Sequence, residues 1–157
     1  VDMPSLMEGA SQGVGNGKEI LSAIRSCDLI CFIIDLSRDY KTQMEHLLKE
    51  LNRADIKINT NPPPIEIQKT GANKIQVYYL TPEAKNIKNI DEFTEKVREI
   101  VYENGIRNGI VKIYGKIKLG DIVDALTPSM VYKKAIIIAT KGDLPHTGKR
   151  FENLKKD

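Results

Sequence analysis

The chain has 157 residues, 41% of them hydrophobic and 29% charged, proportions ordinary for a soluble globular protein with a core of normal size. A formal net charge of +3 is too small to argue for nucleic acid by itself and fits a lysine-rich solvated surface. The longest apolar run, Leu29 to Leu36, is far too short to span a bilayer, and no signal peptide opens the chain. A cytoplasmic protein with no membrane role is expected.

The sequence begins Val1-Asp2-Met3-Pro4, without an initiator Met, and reads as an internal piece of a longer protein. Gly9, Gly13, Gly15 and Gly17 follow within nine residues. That density makes either a mobile loop or one where backbone must approach a ligand closely. A helix is expected from Lys18 to Ser26, with Ile20, Leu21 and Ile24 on one face. Leu29 to Ile34 is a continuous apolar run ending in Asp35, the pattern of a parallel strand buried on both faces. Cys27 and Cys31 flank and enter this run; without a second Cys or His pair they read as buried free thiols rather than zinc ligands. Tyr40, Met44, Leu47, Leu48 and Leu51 then repeat at helical spacing, so residues 40–54 form a surface helix.

The texture changes at Asn59-Thr60-Asn61-Pro62-Pro63-Pro64, where three prolines end regular structure and stiffen a linker. Beyond it the strands alternate. Ile65 and Ile67 alternate with Glu66 and Gln68; Ile75, Val77 and Tyr79 with Gln76 and Tyr78; Val111, Ile113 and Ile117 with Lys112, Tyr114 and Lys116. Alternation marks a sheet with one buried and one wet face. A helix from Ile90 to Glu103 lies between them, with Asn89 as N-cap, Glu92 three residues on and Gly105 as its stop. A shorter helix covers Leu119 to Leu126 before Thr127-Pro128 breaks the chain.

The first texture then returns. Lys134 to Ala139 reads as another fully buried strand, delivering Thr140-Lys141-Gly142-Asp143 at its carboxyl end. Roughly 100 residues separate Leu36 from Ala135, against roughly 30 for a simple βαβ unit. The excess is the alternating region, so residues 60–130 are expected to form a small α+β domain inserted between consecutive strands of a parallel sheet. Residues 1–59 and 131–157 build that α/β sheet and its flanking helices.

Ligands of open α/β sheets bind outside the carboxyl ends of the strands. Asp143 there can accept hydrogen bonds from the ring N–H and exocyclic amino group of guanine, an arrangement adenine does not present. Lys141 can lay its aliphatic stem along base and sugar. Taken alone, the tetrapeptide is equally a solvated turn. Asp2, followed by Pro4 and the glycine-rich stretch, suits a magnesium-facing carboxylate and a switch loop, and equally a plain strand-to-turn Asp. The two motifs in this order strengthen each other. His46 and His146 read as solvated, and no catalytic triad is suggested.

Asp2 to Ala10 with Gly13, Gly15 and Gly17 and the helix after them resemble the switch II region of the Obg superfamily of GTPases. More narrowly they are similar to the DRG (developmentally regulated GTP-binding protein) branch, in its archaeal form. The similarity continues through residues 24–30, Pro62-Pro63, Ile122-Val123-Asp124-Ala125-Leu126 and Thr140 to Asp143. The resemblance implies a P-loop GTPase domain interrupted by a small α+β domain similar to one in a small-subunit ribosomal protein. It implies GTP and Mg2+ as cofactors, with Asp2 at the metal, Ser5 at the γ-phosphate sensor and Thr140, Lys141 and Asp143 at guanine. It also implies association with ribosomes and, in eukaryotic relatives, a dedicated partner protein. Leu6 stands where many small GTPases carry a catalytic glutamine, which implies slow intrinsic hydrolysis. The sequence departs from the family pattern twice. Ser5 replaces the Gly of Asp-x-Pro-Gly, and Thr140 replaces the Asn of Asn-Lys-x-Asp. No Gly-x-x-x-x-Gly-Lys-Ser/Thr phosphate loop occurs in the sequence.

Three function classes follow. One is a GTP-hydrolysing switch. The second is an RNA- or ribosome-binding module presenting Lys112, Tyr114, Lys116 and Tyr78, cations for phosphates and rings for bases. The third is a scaffold whose middle segment docks a partner protein.

Overall fold

A computed structural model describes residues 6, 9–71 and 73–156. After a short 3-10 turn at Ala10–Gln12, the chain forms α1 (Gly17–Ser26), β1 (Leu29–Asp35), α2 (Tyr40–Arg53) and β2 (Ile56–Ile58). Its middle holds β3 (Ile65–Lys69), β4 (Gln76–Tyr79), α3 (Pro82–Lys85), α4 (Ile90–Glu103), β5 (Gly109–Ile113) and α5 (Leu119–Leu126). It ends with β6 (Val131–Thr140) and α6 (Thr147–Leu154). Two compact units result, one from residues 1–60 with 131–157 and one from residues 61–130. No helix among the described residues is long and apolar enough to cross a membrane.

The first unit is a parallel sheet in the order β1-β6-β2. β1 runs beside β6 with Leu29 opposite Lys134 and Asp35 opposite Thr140. β2 takes only the first three residues of β6, Val131 to Lys133. The ladder is then prolonged by a side chain. Asn59 donates from Nδ2 to the Ala135 carbonyl (3.0 Å) and accepts the Ala135 N–H at Oδ1 (2.9 Å). α2 starts where Asp39 accepts N–H bonds from Lys41 and Thr42, an N-cap that satisfies donors the helix cannot.

The core of this unit joins Ile20, Leu21 and Ile24 of α1, Ile30, Phe32 and Ile34 of β1, Tyr40 and Leu51 of α2, and Ile56. Both helices thus cover the same face of β1. This corrects the expectation of strands buried on both faces. Leu29 and Ile33 are 48% and 59% exposed, and Ile136, Ile137 and Ile138 of β6 are exposed as well. The continuous apolar run is real, but the helices reach only one side of it. The same geometry corrects the thiols, since Cys31 shares the open face and is exposed while Cys27 is half-buried.

In the second unit β5 is central, antiparallel to β3 and parallel to β4. Val111 and Ile113 point into a core with Val97 and Val101 of α4, Ala84 of α3 and Ile122 of α5. Ile117 is buried there too, but β5 ends at Ile113 rather than running to Ile117. The ladder closes one pair further on, where the Tyr114 N–H goes to the carbonyl of Pro64 (2.8 Å), a residue with no N–H to return. Asn89 precedes α4 in a left-handed conformation, φ 57°, and makes no side-chain cap, unlike the expected N-cap. Gly105 ends the helix region at φ 81° as a left-handed stop. β2 and α3 are too short to have left a periodic signal in the sequence, and α6, as long as α5, carries only Phe151 and Leu154 as large apolar residues.

Leu51 is almost fully buried between α2 and the sheet. Leu51→Ala is expected to cost about 2–5 kcal/mol of unfolding free energy, measured by urea denaturation. A loss well under 1 kcal/mol would mean that this core is loosely packed.

Candidate functional site

Because β1 and β6 are parallel and in register, residues 106 apart in sequence meet at their carboxyl ends. Asp35, the last residue of β1, is held on every side. The Gln43 amide accepts its N–H (3.1 Å) and donates to its carbonyl (2.9 Å), fixing the backbone from α2. Its Oδ1 accepts from the Ser37 N–H (2.9 Å) and hydroxyl (2.6 Å). Its Oδ2 lies 2.8 Å from the Lys141 ammonium. The Lys141 hydrogen bond, and then the Ser37 hydroxyl, hold the Asp35 carboxyl well below the usual carboxylate range.

Lys141 follows β6 with φ 59°. The other non-glycine residues with positive φ among the described residues are Asp, Asn or His, types that tolerate this region. A lysine there carries roughly 1–2 kcal/mol of backbone cost, and such costs gather where structure serves a site. The turn it opens is closed by Thr147 of α6. Its buried hydroxyl is shared between the carbonyls of Gly142 (3.0 Å) and Leu144 (2.6 Å). Arg150 of α6 donates to the Leu36 carbonyl (2.8 Å), fastening the same helix to the end of β1. The Thr140 hydroxyl donates to the Ile34 carbonyl (3.2 Å), so it serves the strand ladder. Gly142 and Asp143 are exposed, and no hydrogen bond or ion pair engages the Asp143 carboxylate among the described residues.

Of the residues picked out in the sequence, Thr140, Lys141 and Asp143 therefore sit together at the strand ends. Asp2 and Ser5 lie outside the described residues. Leu6 packs against the core of the first unit. Asp35, Gln43, Thr147 and Arg150 were missed. Only Asp35 carried a signal, as the first charge after an apolar strand.

A fifth missed residue is Glu50 of α2, which is buried. Its Oε1 accepts the Gly9 N–H (3.2 Å), and its Oε2 accepts the Ser11 N–H (2.9 Å) and hydroxyl (2.7 Å). Arg53 reaches Oε1 at 3.0 Å. The Ser11 donors, first of all its N–H, lower the Glu50 pKa to about 2. The glycine density fits a mobile loop, yet this stretch is fastened at Gly9 and Ser11 by the carboxylate, and Ala10 is fully buried. Glycine is required twice here. Gly9 sits at φ 84°, and a Cβ at Gly17 would overlap the backbone of Ala10.

No family model matches the chain. A GTP-binding protein of Methanocaldococcus jannaschii is 33% identical over 145 residues, 92% of this chain. One of Halobacterium salinarum is 31% identical over 144 residues, and developmentally-regulated G-protein 2 of Arabidopsis thaliana is 28% identical over 144. The chain is a homologue of developmentally regulated GTP-binding proteins. It spans about a third of the length of these relatives, 34–36%.

Glu50→Gln removes the charge and one of the two acceptor oxygens, so that either Gly9 or Ser11 loses its partner. At neutral pH the variant is expected to be less stable by about 1–3 kcal/mol. Because the folded pKa lies below the usual 4.5, the wild-type advantage is complete above about 4.5 and shrinks as pH falls toward about 2. Urea denaturation of both proteins across that window checks it. A gap independent of pH would remove the ionised carboxylate from the explanation.

Proposed function

We propose that this chain is the guanine-reading part of a GTP-binding, GTP-hydrolysing switch protein of the Obg superfamily that works on ribosomes. The observation that carries the reading is the parallel pairing of β1 with β6, which puts Thr140-Lys141-Gly142-Asp143 beyond the carboxyl ends of adjoining strands, where nucleotides bind in such sheets. The homology to GTP-binding proteins supports it. The residues present fit guanine. Asp143 offers an uncommitted carboxylate for two donors on the base edge, while Lys141 presents an aliphatic stem beside it. Asp2 would face magnesium and Ser5 the γ-phosphate. GTP, once bound, supplies the phosphoryl group whose hydrolysis resets such a switch. Residues 61–130 would be the inserted domain resembling a ribosomal-protein domain, with ribosomal RNA or a dedicated partner protein as what it meets.

The RNA-module reading draws less support from side-chain geometry. Lys112 and the Tyr114 hydroxyl both turn to Glu66, at 3.4 and 2.9 Å. The Tyr114 hydrogen bond lowers the Glu66 pKa, and Glu66 raises that of Tyr114. A carboxylate at the middle of this face opposes phosphate. Tyr78 remains exposed, and Lys116 lies beyond the end of β5.

In the full-length polypeptide, Asp143→Asn is expected to weaken GTP and to favour xanthosine triphosphate, whose ring carries an oxygen where guanine has its amino group. A roughly 10-fold or larger reversal of preference corresponds to about 1.4 kcal/mol. Competition binding of both nucleotides to both proteins is the measurement. An unchanged preference would remove Asp143 from the site.

A further inference from the structure

We propose that Asp35 is a positioning residue for guanine recognition, holding the Lys141 side chain in place from the neighbouring strand. The inference rests on the guanine reading of Thr140 to Asp143 and extends it to a residue that the motif does not contain.

The geometry makes Asp35 a prepared anchor. Its backbone is clamped on both sides by the Gln43 amide, at 3.1 and 2.9 Å, and one carboxylate oxygen is occupied by Ser37. The other oxygen, Oδ2, receives the Lys141 ammonium at 2.8 Å. Arg38, at 3.8 Å from the same oxygen and 80% exposed, is a distant second cation. Lys141 itself is 51% exposed, and an ion pair so open to water contributes little to folding stability. What the contact does supply is orientation. A lysine stem has four rotatable bonds and much rotamer entropy, and pinning its ammonium leaves the methylenes in one course across the strand ends. The left-handed backbone at Lys141 directs the side chain back toward β1 rather than onward along the turn. Both devices serve the same end, a stem already in place when a base arrives, so that less order has to be imposed on binding.

Asp35→Asn keeps the size of the side chain and an acceptor for Ser37 but loses the charge that holds Lys141. In the full-length polypeptide it is expected to weaken GDP about 5–10-fold without a change in melting temperature. Lys141→Ala should lose at least as much. The double variant should be no weaker than Lys141→Ala alone, because the first effect acts through the second residue. Should Asp35→Asn fail to fold, Lys141→Met, which retains the apolar stem and drops the ammonium, tests the contact from the other end with the same expected loss. Asp143→Ala separates the two levels. If it weakens GDP while Asp35→Asn, or Lys141→Met in its place, does not, the anchor is overturned and the guanine site stands. If the losses of Asp35→Asn and Lys141→Ala add in the double variant, Asp35 does not act through Lys141 and the inference is also overturned. If Asp143→Ala leaves GDP binding unchanged, or the wild type binds none, the guanine reading fails and the anchor with it.

Discussion

The pairing of β1 with β6 is the constraint from which the rest of the first unit follows. Side chains on a strand alternate with a period of two, so a slip of one residue would exchange the two faces of β6 against β1. The observed register sets Ile30, Phe32 and Ile34 against the helices. It also brings Asp35 level with Thr140, one residue short of Lys141. Core and site are thus tied to a single alignment. The apolar residues that make the alignment favourable are the same ones that carry the polar strand ends to their places. The side-chain bridge from Asn59 to both polar groups of Ala135 reinforces it. It does so where β2 has ended and β6 would otherwise present unpaired backbone.

Glu50 represents a different kind of constraint. A buried carboxylate is costly unless its lone pairs are used, and here they are used by backbone from a segment almost forty residues upstream. Gly9 and Ser11 bring N–H groups to it because the chain turns through left-handed glycines and because Gly17 lets Ala10 lie against the start of α1. The further donor that reaches the carboxylate is Arg53 of the same helix, whose own side chain is exposed. The segment that leads to Asp2 and Ser5 in sequence is therefore referred to α2, the same helix whose Gln43 fixes Asp35. One helix thus fixes the end of β1 near its start and the glycine-rich stretch near its finish.

Much of this was legible beforehand, for physical reasons. Apolar periodicity located α1, α2, α4 and α5, because a helix must bury one stripe. Run against alternation distinguished the strands of the two units. Legibility stopped where partners mattered. The run Leu29 to Ile34 says that a strand can be buried on both faces, not that something covers both, and Leu29 and Ile33 stand open. Ile117 kept the strand pattern and stayed buried, although β5 ends at Ile113 and the proline opposite Tyr114 cannot carry the ladder on. Glu50 looked like one more acid on a surface helix, because nothing in its neighbourhood of sequence reveals Gly9 and Ser11. Asp35 looked like the end of a run, because Lys141 is 106 residues away.

The carboxylates around the strand ends show how one chemical group is given different tasks by its surroundings. Asp35 is committed. Ser37 fills one oxygen and Lys141 takes up the other, its proton affinity is low, and a ligand donor would have to compete with that lysine. Asp143 stands three residues beyond the strand on the turn that Thr147 closes, exposed and uncommitted. A base that must be read by an acceptor can be read only by the second. On the proposed reading, a lysine paired with Asp143 instead would neutralise the acceptor, and a guanine would have to break that pair before binding. Placing the counter-charge on the neighbouring strand avoids the competition, since the cation is held while the acceptor is left open. The same logic weighs against the polar face of the second unit as an RNA surface. There the carboxylate of Glu66 engages the lysine that phosphate would need, together with the Tyr114 hydroxyl.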